Sequence, residues 1–397
     1  MKLNHIYKSI ACGVLLAMTA TSCDLDYNPV DTYSDVTEGV NKTDEKPIFN
    51  SVQDVETSMV TLHKKFRDRQ EHWYVDKLLI GDAHSDNAYA GTTGAEVVPY
   101  ETNSIEGSNS VLKRDWDRFL GDIAVANRII VGCDQLKALS ESERGKYQSQ
   151  AKIFRAMVMF DMVRLWGNFP VITTVGGDIT EDNVEEMYPT YFPPQNTAEE
   201  AYAQIEKDLT EAVENPNTPT NDTSDKSILT KSVARAMLAK VYAEKPLRDY
   251  AKVIKYADEL AADGFDLVED FSDLWAYDTE KKDCRVRNTK EAILEAHFPP
   301  GSGNWCTWMF GRNLSNWDES FTWAKWITPS RDLIRLYEEQ GDTKRYNESV
   351  VWYDCGWSNY YPADHYAFMY KCRSAFNSII YLRLSLIHIS EPTRLQL

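Results

Sequence analysis

Val52, Val55, Met59, Leu62 and Phe66 step by three and four residues, the spacing that gathers apolar side chains onto one face of an α-helix. Ser51 and Asp54 stand beside them as cap and first-turn acid. Leu112, Trp116, Phe119, Ile123, Ala126 and Ile130 repeat the pattern over a longer helix. Ile153, Met157, Phe160 and Val163 mark a third, ended by Gly167 and Pro170. A fourth opens on a capping box, Thr197 with Glu200, ahead of Tyr202, Ile205, Leu209 and Val213. Val233, Met237, Leu238 and Val241 give a fifth, stopped at Pro246. Tyr250, Val253, Ile254, Ala257 and Leu260 give a sixth, closed by Gly264. A seventh is expected to begin near Pro329 and to carry Leu333, Leu336 and Tyr337. The fifth and sixth fill Thr230 to Asp263, about 34 residues, the length of a tetratricopeptide repeat. Most consensus residues of that repeat are missing, so any antiparallel helix pair fits as well.

The segments between these helices are long and rich in Pro, Asn and Asp: 73–108, 168–196, 214–227 and 264–328. Loops of that length are either functional or disordered. The whole chain has 397 residues, 26% of them charged, and a formal net charge of -18. One stretch alone is continuously apolar, which rules out a polytopic membrane protein. The acid excess argues against nucleic acid, whose phosphates require basic patches. The seven His form no His-Glu-x-x-His, and no Gly-rich phosphate loop occurs, so no cofactor is expected. Cys133, Cys284, Cys306, Cys355 and Cys372 show no metal spacing, and their odd number leaves at least one unpaired. Carboxylate pairs of the kind a glycosidase uses abound in so acidic a chain, and counting does not separate them from a solvated surface.

The two ends read differently from the body. Lys2 and Lys8, the apolar run Ile10 to Ala20 and the small residues Ala20-Thr21-Ser22 make 1–22 a secretion signal. The small residues ending at Cys23 resemble a bacterial lipobox, with Ala20 in place of the usual leucine-like residue. That resemblance implies lipidation at Cys23 and durable anchoring to a membrane; the competing reading is an ordinary secreted protein with a chance cysteine. Loss of 1–22 removes two lysines and no acid, which takes the charge to about -20. Residues 23–47 then form an acidic tether and 48–384 the helical body. Ser385 to Arg394 resembles a translated sequencing adapter, so 385–397 is set apart and the natural protein is expected to continue past Leu384.

Ser149-Gln-Ala-Lys-Ile-Phe-Arg155-Ala-Met-Val-Met-Phe-Asp161-Met-Val-Arg164-Leu-Trp-Gly167-Asn-Phe-Pro170-Val resembles the central signature of the SusD/RagB family. Gln150, Lys152 and Trp166 replace the family's usual Glu, Arg and Tyr. The likeness continues in order through Ala201 to Leu209, Lys231 to Tyr242, Gly264 to Leu267, Leu274-Trp275, Glu291 to Glu295 and Leu333 to Arg345. Asn377 to Leu384 is similar to the start of a further family helix, which the adapter-like tail interrupts. The resemblance implies an all-α, tetratricopeptide-like scaffold whose loops carry the ligand site, with the last helical pair missing. It also implies a non-catalytic outer-membrane lipoprotein that captures glycans or, in some members, peptides. Its partner would be a SusC-like TonB-dependent transporter.

A Trp-rich segment is the best candidate for ligand contact. Residues 305–326 contain Trp305, Trp308, Phe310, Trp317, Phe321, Trp323 and Trp326, where the overall 12% aromatic content gives fewer than three. A sugar's C–H face packs on such rings, while Asn304, Arg312, Asn313, Asn316 and Asp318 suit its hydroxyls. Trp323 and Trp326, three apart before Pro329, fit helix-facing core equally well, which leaves Trp305, Trp308, Trp317 and Arg312 as the better candidates. A second patch runs from Gly81 to Tyr89. The family's loop after its first helix implies ligand roles for Asp86, Asn87 and Tyr89. Asp82, His84 and Asp86 alternate as metal ligands would, but no fourth ligand accompanies them, and turn or capping roles suit the acids better.

Overall fold

The structure, a computed structural model, describes residues 47–68, 71–90, 97–177, 179, 181, 183–244, 246–274, 277–278, 280–281, 283–298, 327–353, 359–370 and 379–385. The chain divides into two units, Met1–Pro47 and Ile48–Leu397. The signal segment, Cys23 and the tether up to residue 46 lie outside the described residues, as do 299–326 and 386–397.

All seven expected helices form: α1 (Val52–Asp68), α2 (Ser110–Gln135), α3 (Glu141–Trp166), α4 (Ala198–Glu214), α5 (Lys231–Ala243), α6 (Tyr250–Ala262) and α7 (Arg331–Gln340). A shorter α8 (Thr343–Ser349) follows. The caps are those their side chains dictate. Ser51 and Asp54 bond each other's backbone N–H, at 3.0 and 3.3 Å. Thr197 and Glu200 close the expected capping box on α4, and Ser140 with Glu143 closes another on α3. α7 starts later than Pro329 suggests. The Ser330 hydroxyl accepts from the Leu333 N–H at 3.0 Å and caps the helix, while Pro329 sits in a strand.

Successive helices pack in chain order, α2 on α3, α3 on α4, α4 on α5 and α5 on α6, which is an all-α array of helical hairpins. α3 lies between neighbours on both sides. Every residue from Ser149 to Val163 except Lys152 is buried, so the single apolar stripe expected of it widens to the whole circumference. One polar tie crosses this core. Arg155 reaches both Asp208 oxygens, at 2.8 and 2.7 Å, and also donates to Asn127 Oδ1 at 2.8 Å, joining α3 to α4 and α2. The family-like signature is therefore largely a core sequence.

Two readings need correction. Segment 73–108 is not a loop at its start: π turns Glu71–Val75 and Leu79–Ala83 flank the helical turn Asp76–Leu78, and Trp73 and Tyr74 are fully buried. The Trp73 ring meets Phe66 at 5.4 Å and Phe154 at 5.5 Å, and that apolar packing fixes a backbone that Pro- and Asn-rich neighbours left looking open. The helix expected from Asn377 to Leu384 is also not seen. Ile379–Ser385 is a strand, β8, antiparallel to the buried strand β4 (Ala292–Phe298), with Phe298 opposite Ile379 and Ala292 opposite Ser385. β-branched and aromatic residues favour extended backbone when a strand edge offers pairing. Ser385 belongs to β8 although the sequence sets it in the foreign tail; 386–397 lies outside the described residues.

Three more two-stranded antiparallel ribbons decorate the scaffold among the described residues: β1 (Ala88–Tyr89) with β5 (Thr328–Pro329), β2 (Tyr277–Asp278) with β3 (Asp283–Cys284), and β6 (Val350–Tyr353) with β7 (Tyr366–Met369). A small second core, Ile334, Val350, Tyr361, Tyr366, Ala367 and Phe368, is distinct from the main one.

Candidate functional site

Pairing of β1 with β5 sets Ala88 opposite Pro329 and Tyr89 opposite Thr328. The ribbon thus brings the chain at Thr328–Pro329 against the loop just after the π turns. Trp305, Trp308, Arg312 and Trp317 themselves lie outside the described residues.

Asp86 and Asn87 serve first through their backbones. The Asp86 carbonyl accepts from the Ser330 hydroxyl, and the Asn87 carbonyl accepts from the Ser330 N–H at 3.0 Å. Both side chains stay exposed, where a ligand can reach them. Tyr89 is half-buried, and its hydroxyl accepts from the Arg331 N–H at 3.2 Å. Its ring stacks on Tyr360, with centroids 4.6 Å apart and planes at 6°.

The sequence reading missed the other half of this aromatic face. The Tyr360 hydroxyl donates to Glu101 Oε2 at 2.6 Å, and Ala90 N–H donates to the same oxygen at 2.8 Å. Burial, then the Glu101 carboxylate, push the Tyr360 phenol above its ordinary range, so it remains a donor. Tyr361 is buried and donates to the Pro329 carbonyl at 2.7 Å, with the Arg331 guanidinium 4.8 Å from its ring centroid. Trp352 is half-buried, stacks on exposed His365 at 4.2 Å, and donates from Nε1 to the Tyr346 hydroxyl at 2.9 Å. A signal for these residues was present: eight aromatics fall within 352–370, a density above that of 305–326.

Asp82, His84 and Asp86 do not assemble as metal ligands. His84 Nε2 is 2.6 Å from Asn103 Oδ1, and among the described residues no group of three His, Cys, Asp or Glu is placed to hold a metal. Cys133 and Cys284 are buried, and burial pushes the Cys133 thiol up to about 12, so it is inert rather than nucleophilic.

A charged network joins the helical turn between the π turns to α2. Asp76 takes the Arg114 guanidinium, and Asp115 lies beside them, 3.6 Å from Arg114 Nε. Burial, and then the Asp76 carboxylate, raise the Asp115 carboxyl far above 3.8, against the pull of Arg114 and Arg118. The folded chain therefore binds this proton more tightly than the unfolded one. Its contribution to stability falls as pH rises from about 4 into the alkaline range. Asp115→Asn supplies a neutral donor of the same shape. Urea midpoints at acidic, neutral and alkaline pH are expected to move in the variant's favour as pH rises; a constant difference contradicts the assignment.

Comparison with known proteins adds the following. A SusD-like family model, described as starch-binding and associating with the outer membrane, matches residues 33–243. A SusD-like protein of Bacteroides ovatus is 25% identical over 309 residues, 75% of this chain and 50% of that protein. The chain thus spans about half the length of the curated relative it matches. A laminarin-binding SusD-like protein superposes with a TM-score of 0.66 at 19% identity, over 87% of this chain and 80% of that one. Surface glycan-binding protein A from Bacteroides fluxus gives 0.67 at 19% identity, over 87% and 77%. These two likenesses are of fold.

Proposed function

We propose, because the chain belongs to the SusD-like family, that it is a non-catalytic protein that binds oligosaccharide at the outer membrane. The observation that carries the reading is the Tyr89–Tyr360 stack, held half-buried at the ribbon that leads out of the Trp-rich segment. Flat rings have little rotamer freedom to lose, so they bind the C–H faces of sugars at low entropic cost. Exposed Asp86 and Asn87 beside them supply the polar partners that hydroxyls need. Trp305, Trp308, Trp317 and Arg312 are proposed to complete the same surface. The structural neighbours named for laminarin and glycan binding favour a neutral glycan as ligand.

Lipidation at Cys23 would anchor the chain, and delivery to a SusC-like TonB-dependent transporter would follow capture. Among the described residues no helix is long and apolar enough to cross a membrane, so a lipid at Cys23 is the proposed means of attachment. Isothermal titration against starch- and laminarin-derived oligosaccharides, other neutral glycans and a protein digest tests the reading. Saturable heat with at least one glycan is expected. Heat with the digest and with no glycan would move the function to peptide capture and overturn it.

A further inference from the structure

Tyr89 ends β1, whereas Tyr360 lies in the connection between β6 and β7, far along the chain. Closing so long a loop is costly, and a ring stack is a modest force to set against it. The parallel planes at 4.6 Å are instead held by hydrogen bonds from two residues, each of which reaches both sides of the stack.

Glu101 closes the helical turn Val98–Glu101 and is half-buried. Its Oε2 accepts from the Tyr360 hydroxyl, 259 residues away, at 2.6 Å. The same oxygen accepts at 2.8 Å from the N–H of Ala90, the residue that follows Tyr89. Ala90 is fully buried, where an amide without an acceptor is costly. Arg331 is the first residue of α7, so its N–H has no partner within the helix. That N–H donates to the Tyr89 hydroxyl at 3.2 Å. The Arg331 guanidinium donates to the Tyr360 carbonyl and lies 4.8 Å from the Tyr361 ring centroid. Tyr360 is therefore gripped at its hydroxyl by Glu101 and at its carbonyl by Arg331. The preceding residue, Ser330, engages the Asp86 and Asn87 carbonyls and so fixes Arg331 against the strand that carries Tyr89.

We infer that Glu101 and Arg331 are the positioning residues of the glycan face, a role that rests on the proposed function and deepens it. Each ties the Tyr89 side to the Tyr360 side, so the stack is in place before a glycan arrives. A platform ordered in advance spares the complex the entropy of ordering it. Neither residue has to touch the sugar. Glu101 Oε2 already carries two donors, and the Arg331 guanidinium is engaged by the Tyr360 carbonyl and the Tyr361 ring.

The experiment titrates the tightest-binding glycan into wild type, Glu101→Ala, Glu101→Gln, Arg331→Ala and Tyr360→Ala. Glu101→Ala and Arg331→Ala are also each combined with Tyr360→Ala, and thermal unfolding and near-ultraviolet circular dichroism of every free protein are recorded. Glu101→Ala and Arg331→Ala are each expected to weaken binding at least threefold. Glu101→Gln keeps an acceptor oxygen at the same reach and should stay within twofold of wild type. In the Tyr360→Ala background the two alanine changes should add less than twofold, because the stack they position is gone. A residue that only stabilises the fold would lower Tm without this dependence on Tyr360. Should Glu101→Ala fail to fold, Arg331→Ala, whose side chain is exposed, decides. Should Tyr360→Ala abolish measurable binding, the near-ultraviolet signal decides: the positioning variants lose the aromatic intensity that Tyr360→Ala loses, and Glu101→Gln keeps it. Wild-type affinity in both alanine variants, or equal losses with and without Tyr360, overturns the assignment and leaves the proposed function standing. A wild type that binds no glycan removes the proposed function itself, and this role with it.

Discussion

Arg155→Ala is expected to destabilise the fold by about 3–5 kcal/mol, the cost of leaving a buried charge without its partner. Arg155 is 4% exposed and Asp208 is fully buried, and the guanidinium meets both carboxylate oxygens. Burial pulls the Asp208 carboxyl upward, and Arg155 is the first group that holds it down. Without Arg155, Asp208 must stay charged in the core or take up a proton, and Asn127 loses a donor as well. A domain is stable by only about 5–15 kcal/mol, so the variant should lose a large part of its urea resistance. Lys152→Ala, one turn earlier, removes the pair with Glu211 at 2.7 Å, where both partners reach solvent. That change should cost under about 1 kcal/mol. Equal urea midpoints for the two variants would contradict the assignment of Arg155 as the tie between α2, α3 and α4.

Tyr360→Ala is expected to weaken glycan binding by about tenfold or more, equivalent to about 1.4 kcal/mol. Its ring is one member of the stacked pair, and aromatic anchors carry a large share of binding energy in such sites. Tyr360→Phe separates the ring from its hydroxyl. The phenol is engaged by Glu101 and so is not offered to a ligand; its loss should leave affinity within about twofold while loosening the turn that Glu101 holds. Calorimetric titration of the tightest glycan into both variants checks this, and a loss in Tyr360→Phe as large as in Tyr360→Ala would place recognition in the hydroxyl instead of the ring.

The helical scaffold was legible because its signals are local. Caps such as Thr197 with Glu200 and three-four apolar steps such as Val55, Met59, Leu62 and Phe66 depend on residues a few positions apart. Tertiary burial was not legible. On α2 the buried face takes in Asp115, Asp122 and Asn127, while Leu112 and Trp116 are half-buried, because Arg114 on the same helix and His72 and Arg155 on other elements reward those polar positions. The strand β8 depends on an edge of β4 some 85 residues away, which no periodicity reveals. For the site, Asp86, Asn87 and Tyr89 entered by resemblance to a family, and Tyr360, Trp352 and His365 were overlooked although their aromatic density was visible. Stacking between Tyr89 and Tyr360 joins positions far apart in sequence, and that pairing exists only in the fold.

The central claim is that aromatic side chains of this chain hold a glycan. Isothermal titration of the tightest-binding oligosaccharide into wild type and into the double variant Trp305→Ala, Trp308→Ala tests it most directly. The account predicts that affinity falls by at least tenfold, about 1.4 kcal/mol, with the thermal transition of the helical body unchanged. Unchanged affinity in the double variant would contradict it.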